Sequence, residues 1–535
     1  MRKTIAIIIA AVMTAVLLIP AGAVYEPAGT AIKTAEDWAA MSLSGTYYLD
    51  ADITVDKTVS GNFKGTVNGN NHTVTTSVSL FEKFNGTVRD LTINGSITAT
   101  RNSGALALNV TEKAVVWNVT NNADVTISKT GQYAAGFVAY GSAKSEILFY
   151  NCRNNGNVSY KVKNISGTVA GGFVASGDSV YCYNCENHGN LTSGSASAIV
   201  GGFVGRGASS VNCSYVDFEY CRNYGAVTST LQAGGMSGYV GTAENISPVG
   251  FRYHFCENHG DVTGGQYVGG IAGYGYGSGG GECFDLCFCI NTGTITGGQS
   301  GAAFVSQLGA YCNSKYHVIK YNLAAGKTVV ASGKKGVTCV VSGSGTPTYG
   351  SMDIRDNWFV KGSEPEWFSC PYDASNAQYR KTFTVAAQDG LVTLTGDEGF
   401  ESGEFCMFLN RYIGYNCFNQ ELGVDKLPTT RLDAPHVVYD MTVEEDRFIN
   451  SENTRLPMDD MLTYPVDPEG WHEPYTDAPE TVAASPASAD EEATLSPETT
   501  AADGEKSGCG SSVGLCALLP VLVAGAALIR KKKER

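Results

Sequence analysis

Positive charge is scarce in this chain. Its 535 residues carry 37 Lys and Arg against 52 Asp and Glu, a formal net charge of −15. That balance argues against a nucleic-acid partner. Helical periodicity is missing too. Between the repeated motifs described below, no apolar run recurs every 3.6 residues, and 64 glycines would cripple the helices of an α-solenoid. No helix follows the Gly-rich stretch Gly273–Gly281, so it is no phosphate loop and reads as a flexible excursion. Asp178, Asp217, Asp261 and Asp285 are scattered and form no calcium loop. The closest carboxylate pair, Asp353 and Asp356 around Arg355, reads as a turn rather than the acid and base of a glycosidase. Nothing calls for a cofactor.

The two ends have characters of their own. Arg2 and Lys3 precede an apolar run from Ile5 to Ile19, and Ala21-Gly22-Ala23 offers small residues for cleavage. Residues 1–23 therefore read as a secretory signal peptide. At the other end Val513 to Ile529 is apolar and runs into Arg530-Lys531-Lys532-Lys533. A spanning helix needs about 17–25 such residues, and the basic cluster fits a cytoplasmic flank. Residues 509–535 are expected to be a membrane anchor or a processed sorting tail. No LPxTG precedes them, for Leu427-Pro428-Thr429-Thr430 lacks the glycine. Residues 465–508 are rich in Pro, Ala, Thr and Glu. From Asp467 to Lys506 eleven acidic residues face one basic residue, a net of −10. Such a stretch cannot bury enough surface to order itself, so most of the net charge belongs to a solvated stalk.

The middle of the chain repeats. Five copies of Cys-x-Asn-x-Gly occur: Cys152-Asn154-Gly156, Cys185-Asn187-Gly189, Cys221-Asn223-Gly225, Cys256-Asn258-Gly260 and Cys289-Asn291-Gly293. The cysteines are spaced by 33, 36, 35 and 33 residues. A second element alternates with them: Gly136-Phe137-Val138, Gly172-Phe173-Val174, Gly202-Phe203-Val204, Gly235-Met236-Ser237, Gly270-Ile271-Ala272 and a worn Ala303-Phe304-Val305. Between them lie short β-favouring stretches such as Phe251–Phe255 and Phe284–Phe288, punctuated by Gly, Asn and Ser. Short strands and turns at a fixed period describe a β-solenoid. In one, equivalent residues stack about 4.8 Å apart. The asparagines are then expected to hydrogen-bond one another down the stack and to the turn backbone. The glycines are expected at a corner of positive φ, and Phe, Val and Ile should fill the interior. The apolar parity breaks between Phe288 and Cys289, which implies a corner there and leaves the direction of the thiol open.

Chemistry at these motifs is weighed against the scaffold. Cys283, Cys287, Cys289 and Cys312 match no common zinc spacing, and a regular cysteine ladder favours buried structural thiols over disulfides. His188 and His259 share one repeat position with Asn155, Tyr224 and Thr292, as an exposed turn residue on a binding face would. Tyr274, Tyr276 and Tyr316 could stack on a sugar.

Gly201-Gly202-Phe203-Val204-Gly205 and Gly269-Gly270-Ile271-Ala272-Gly273 resemble the core of GLUG-type repeats in bacterial surface proteins. The lead-in Ile32–Trp38, Gly45–Ile53, Phe63–Val74 and Leu91–Gly95 is similar to theirs, as are the later segments Gly403–Asn410 and Phe418–Pro428. The resemblance covers about residues 32–440 and implies an adhesin-like role on a right-handed β-helix. The expectation is thus an all-β chain: signal peptide 1–23, β-helix 24–345, β-rich module 346–464, disordered linker 465–508 and anchor 509–535. Its expected function is non-enzymatic binding of an extracellular glycan or protein at a bacterial surface, with no cofactor, metal or nucleic acid. The alternatives are a carbohydrate-active enzyme on the same scaffold and a cell-wall structural protein.

Overall fold

The computed structural model describes residues 28–162, 166–207, 215–241, 250–278, 284–311, 317–331, 340–342, 352–355, 357–360, 391–394, 399–414, 416–439 and 448–450. The expected signal peptide, linker and anchor lie outside them. Among the described residues no helix is long and apolar enough to cross a membrane.

The chain is a parallel β-solenoid, as its repeats predict. One coil shows the plan. Strand Glu146–Tyr150 leads through a corner into the short strand Arg153–Asn154, then Val158–Tyr160, Val169–Gly171 and Val174–Gly177. The next coil opens with Ser179–Tyr183, paired in parallel on Glu146–Tyr150. Each strand meets its equivalent one coil later, so positions stack in columns. Phe149, Cys182, Phe218, Tyr253, Leu286 and Ile319 form one inward column, and all are buried. Phe137, Phe173 and Phe203 of the second motif stack opposite, with ring centroids 5.0 and 4.6 Å apart. Both columns belong to one core. A second, smaller core lies between Val158, Leu191, Val227, Val262 and Ile295 on one side and Ala170, Val200, Ala233 and Val268 on the other.

The asparagine ladder is present, and one coil longer than the motif suggests. The Nδ2 group of Asn121 donates to Asn154 Oδ1, and the chain continues through Asn187, Asn223 and Asn258 to Asn291, at 2.7–2.8 Å per step. Each Nδ2 also donates to the backbone carbonyl two residues on, as Asn154 does to Gly156 at 3.0 Å. All six side chains are fully buried, so each amide is satisfied where an unpaired one would be costly.

The expected role of the motif glycines is corrected. None of Gly156, Gly189, Gly225, Gly260 and Gly293 has positive φ. A Cβ on Gly189 would instead meet the carbonyl of Gly156 at under 3.0 Å, and Gly225, Gly260 and Gly293 would each collide with the motif glycine before them. Glycine is required because adjacent coils approach too closely for a side chain. The glycine of the second motif has a related reason: a Cβ on Gly172, Gly202, Gly235 or Gly270 would strike Asn187, Asn223, Asn258 or Asn291. The two motifs recur in phase because one covers the other.

Positive φ falls on the residue before each motif cysteine. Asn151, Asn184, Tyr220, Phe255 and Phe288, and Tyr321 before Asn322 in the next coil, have φ between 49° and 59°. This left-handed residue is the parity break inferred at Cys289, and it turns the thiols inward. Cys152, Cys185, Cys221, Cys256 and Cys289 all lie in the core. Cys152, Cys221, Cys256 and Cys289 donate to carbonyls of the preceding coil at 3.2–3.3 Å. Burial pushes the Cys185 and Cys256 thiols well up. The nine cysteines among the described residues are buried and unlinked. Left-handed backbone costs a bulky residue ~1–2 kcal/mol. Here Tyr220, Phe255, Phe288 and Tyr321 recover some of it by stacking outside the coil, 4.7–5.4 Å apart.

The parallel pairing continues past residue 345, where the β-helix was expected to end. Met352–Arg355 pairs with His317–Lys320, Asn357–Val360 with Leu323–Ala324, and Leu391–Leu394 with Asn357–Val360. The segment after it holds a helix, Glu404–Ile413, bounded by left-handed Gly403 and Gly414, and an antiparallel pair, Val437–Tyr439 with Phe448–Asn450. Phe405, Cys406, Leu409, Cys417, Phe418 and Val437 pack onto Phe255, Ile290, Leu323 and Trp358 of the solenoid. The outer aromatic stack is therefore a docking surface for the chain's own C-terminal segment.

Candidate ligand-binding face

Outward positions of the sheet that contains Glu146–Tyr150 carry the chemistry. Counting back from each motif cysteine, the residue two before it forms the column Tyr150, Tyr183, Glu219, His254 and Cys287, extended by Trp117 before and Lys320 after. The residue four before it forms Leu148, Tyr181, Asp217, Arg252 and Asp285. The early coils are aromatic. Trp117 stacks on Tyr150 at 5.4 Å, and Trp117, Tyr181, Tyr183 and Tyr215 are half-buried.

The later coils are charged. Arg252 Nε and Nη2 donate to the two Asp217 oxygens at 2.8 and 2.7 Å, and Nη2 also reaches Glu219 Oε1 at 2.7 Å. His254 Nε2 lies 3.0 Å from Asp285 Oδ2, and Cys287 Sγ donates to Asp285 Oδ1 at 3.2 Å. Burial raises the Glu219 carboxyl against the pull of Arg252. Burial also acts to raise Asp285, but His254 and the bond from Cys287 outweigh it and hold the carboxyl at about 2. Burial, with the neighbouring Asp285 carboxylate, pushes the Cys287 thiol well up.

The four aspartates that look scattered in sequence are thus partly gathered. Asp217 and Asp285 flank Arg252 in one column. Asp178 is buried and accepts from the backbone of Lys144 at 2.6 Å, and exposed Asp261 accepts from Thr294. Asp353 lies on a strand paired with Val318; Asp356 lies outside the described residues, as do Cys283 and Cys312. Cys287 and Cys289 do not converge, since the first belongs to the outward column and the second to the core.

His188 and His259 do share a face. Tyr224 lies between them, with ring centroids 4.6 and 4.9 Å away. Beneath His188, Glu186 meets Arg153 and Arg222 at 2.5 and 3.1 Å, and its hydrogen bond from His188 leads the influences holding it at about 2. Beneath His259, the fully buried Glu257 is 2.7 Å from His259 Nε2. Glu257 accepts from Thr429 Oγ1 at 2.6 Å, from Thr430 Oγ1 at 2.8 Å and from the Thr430 backbone. This carboxylate fastens the C-terminal segment. Tyr274 stacks with Tyr239 and Tyr267, each at 5.3 Å, on another part of the coil. Tyr316 lies outside the described residues, and nothing is described of the Tyr276 ring.

The buried Glu257 makes a pH prediction. Burial would raise its carboxyl, but His259, Thr429 and Thr430 hold it at about 2, below its ordinary 4.5. A lowered carboxyl stabilises the fold fully above about 4.5 and ceases to as pH falls through about 2. Glu257→Gln should therefore be less stable than the parent at neutral pH and show a shallower loss of stability between pH 4.5 and 2. Melting curves of both proteins across that range check it; parallel curves would contradict it.

No family model matches the chain. No curated protein matches it either. A solved structure that does is the crystal structure of a candidate immunoglobulin A1 protease from Bacteroides ovatus, 14% identical, covering 75% of this chain and 93% of that one with a TM-score of 0.25. Likeness at that level carries no argument about activity.

Proposed function

We propose that this protein is a bacterial surface adhesin-like binding protein that holds a glycan on the outward face of its solenoid without cleaving it. The observation that carries this reading is the aromatic row. Half-buried Trp117, backed by the buried Tyr150 on which it stacks, together with half-buried Tyr181, Tyr183 and Tyr215, offers flat apolar surfaces that suit sugar rings. The neighbouring Asp217, Glu219 and Asp285 are engaged by Arg252 or His254, which favours binding over acid–base hydrolysis. The GLUG-type resemblance, the signal-like residues 1–23 and the apolar tail 509–535 support export and display on the cell surface.

The full chain is to be incubated with a panel of polysaccharides, scoring both retention and the release of reducing or unsaturated ends. Retention of at least one glycan without products is expected, with Trp117→Ala weakening it about tenfold, as loss of an aromatic anchor does. One observation favours the enzymatic alternative: the Asp217 and Glu219 carboxyls share the Arg252 guanidinium, and two carboxyls held in one cluster are what a glycosidase needs for its acid and base. Released products would support that alternative and end the binding-only reading.

A further inference from the structure

We propose that His254, Asp285 and Cys287 form a binding site for a divalent transition-metal ion of the zinc class on the outward face of the solenoid. The imidazole nitrogen, carboxylate oxygen and thiol sulfur lie within 4.8 Å of one another, with His254 Nε2 3.0 Å from Asp285 Oδ2 and Cys287 Sγ 3.2 Å from Asp285 Oδ1. Ligand atoms around a tetrahedral zinc, at about 2.0–2.3 Å from the ion, stand roughly 3–4 Å apart, so small side-chain adjustments open the cluster around an ion.

The strands set this geometry. His254 pairs directly with Cys287, and Arg252 with Asp285, on adjacent parallel strands. Alternation along the second strand returns Asp285 and Cys287 to the same outward face, beside His254. Both strands are fixed within the ladder, so the three groups are held by the scaffold rather than by a loop. His254 and Cys287 are buried, whereas the Asp285 side chain is 37% exposed; an ion enters past the carboxylate.

The donor set selects the metal class. One imidazole, one sulfur and one carboxylate suit a borderline-soft cation and disfavour calcium or magnesium, which take oxygen shells. On binding, the Cys287 S–H bond gives way to a sulfur–metal bond and the proton leaves to water. A thiolate and a carboxylate then balance a dication, which removes net charge from a part-buried cluster. Three protein ligands leave a fourth position for water or for a ligand donor. None of the five motif cysteines can join, since all face the core.

The test uses the purified full chain, stripped of metal and titrated with Co²⁺ and with Zn²⁺ against a competing chelator. One equivalent is expected to bind, with a near-ultraviolet sulfur-to-cobalt absorption. Cys287→Ser should abolish that band, and His254→Ala and Asp285→Asn should each weaken binding at least tenfold. Circular dichroism and melting of the metal-free variants separate ligand loss from misfolding. No stoichiometric binding by the parent chain, or a thiolate–cobalt band that survives in folded Cys287→Ser, would overturn the assignment.

Discussion

Replacing Gly225 by alanine should split the solenoid. The new Cβ would press on the Gly189 carbonyl and the Asn187 side chain, each at under 3.0 Å. Its principal neighbour is backbone locked in the ladder, so no rotamer change relieves the contact, and the coils must separate. Overpacking a core costs about 1–3 kcal/mol when side chains can yield; here about 4 kcal/mol or more is expected, among the largest single-site effects. A solenoid is stabilised coil by coil, each contacting only its neighbours. The loss should therefore appear as a break in cooperativity, with one calorimetric transition resolving into two and amide protection falling around residues 189–227. If positive φ were the reason for glycine, asparagine would be the tolerated replacement. Gly225→Asn is expected to be no milder than Gly225→Ala.

Asn223→Ala should cost about 3 kcal/mol. The substitution removes the acceptor of Asn187 Nδ2 and the donor to Asn258 Oδ1, along with the bond to the Gly225 carbonyl. It takes the Asn223 donor from two acceptors in a dry interior, Asn258 Oδ1 and the Gly225 carbonyl, at about 1–3 kcal/mol per unsatisfied group, and opens a small cavity. Asn223→Asp should be worse, because a carboxylate cannot donate to Asn258 and would bury a charge facing carbonyls. Urea unfolding of the three proteins measures the order. Equal stability of all three would mean that the ladder contributes nothing.

The scaffold was legible because its interior repeats. A column of identical asparagines needs one hydrogen-bond geometry at every step, so Asn154, Asn187, Asn223, Asn258 and Asn291 recur visibly. Asn121 does not stand out in sequence because Val119 takes the place of the cysteine and Ala123 that of the glycine. Positive φ and close backbone approach both select glycine, so the motif glycines point to either in sequence, and only the packed coil tells them apart. The left-handed residue falls instead on Asn151 and Asn184, a type that tolerates it, and in the later coils on Tyr and Phe, which do not advertise it.

The candidate face was illegible for the opposite reason. Outward columns have no packing constraint to repeat, so Tyr150, Tyr183, Glu219, His254 and Cys287 differ in chemistry while sharing a place. The signal was available as a fixed offset of two residues before each motif cysteine. Nothing comparable announced the docking of the C-terminal segment, since Glu257 and Thr429 are 172 residues apart and belong to no shared pattern.

The scaffold and the proposed binding face thus lie on opposite sides of the same strands, and one paired measurement tests that division. Glycan retention and melting temperature are to be determined together for Trp117→Ala and Asn223→Ala in the full chain. The expected result is a crossed one: Trp117→Ala loses binding about tenfold with its melting temperature nearly unchanged, and Asn223→Ala melts lower but binds as the parent does below its transition. Binding that follows only the folded fraction in both variants would contradict it.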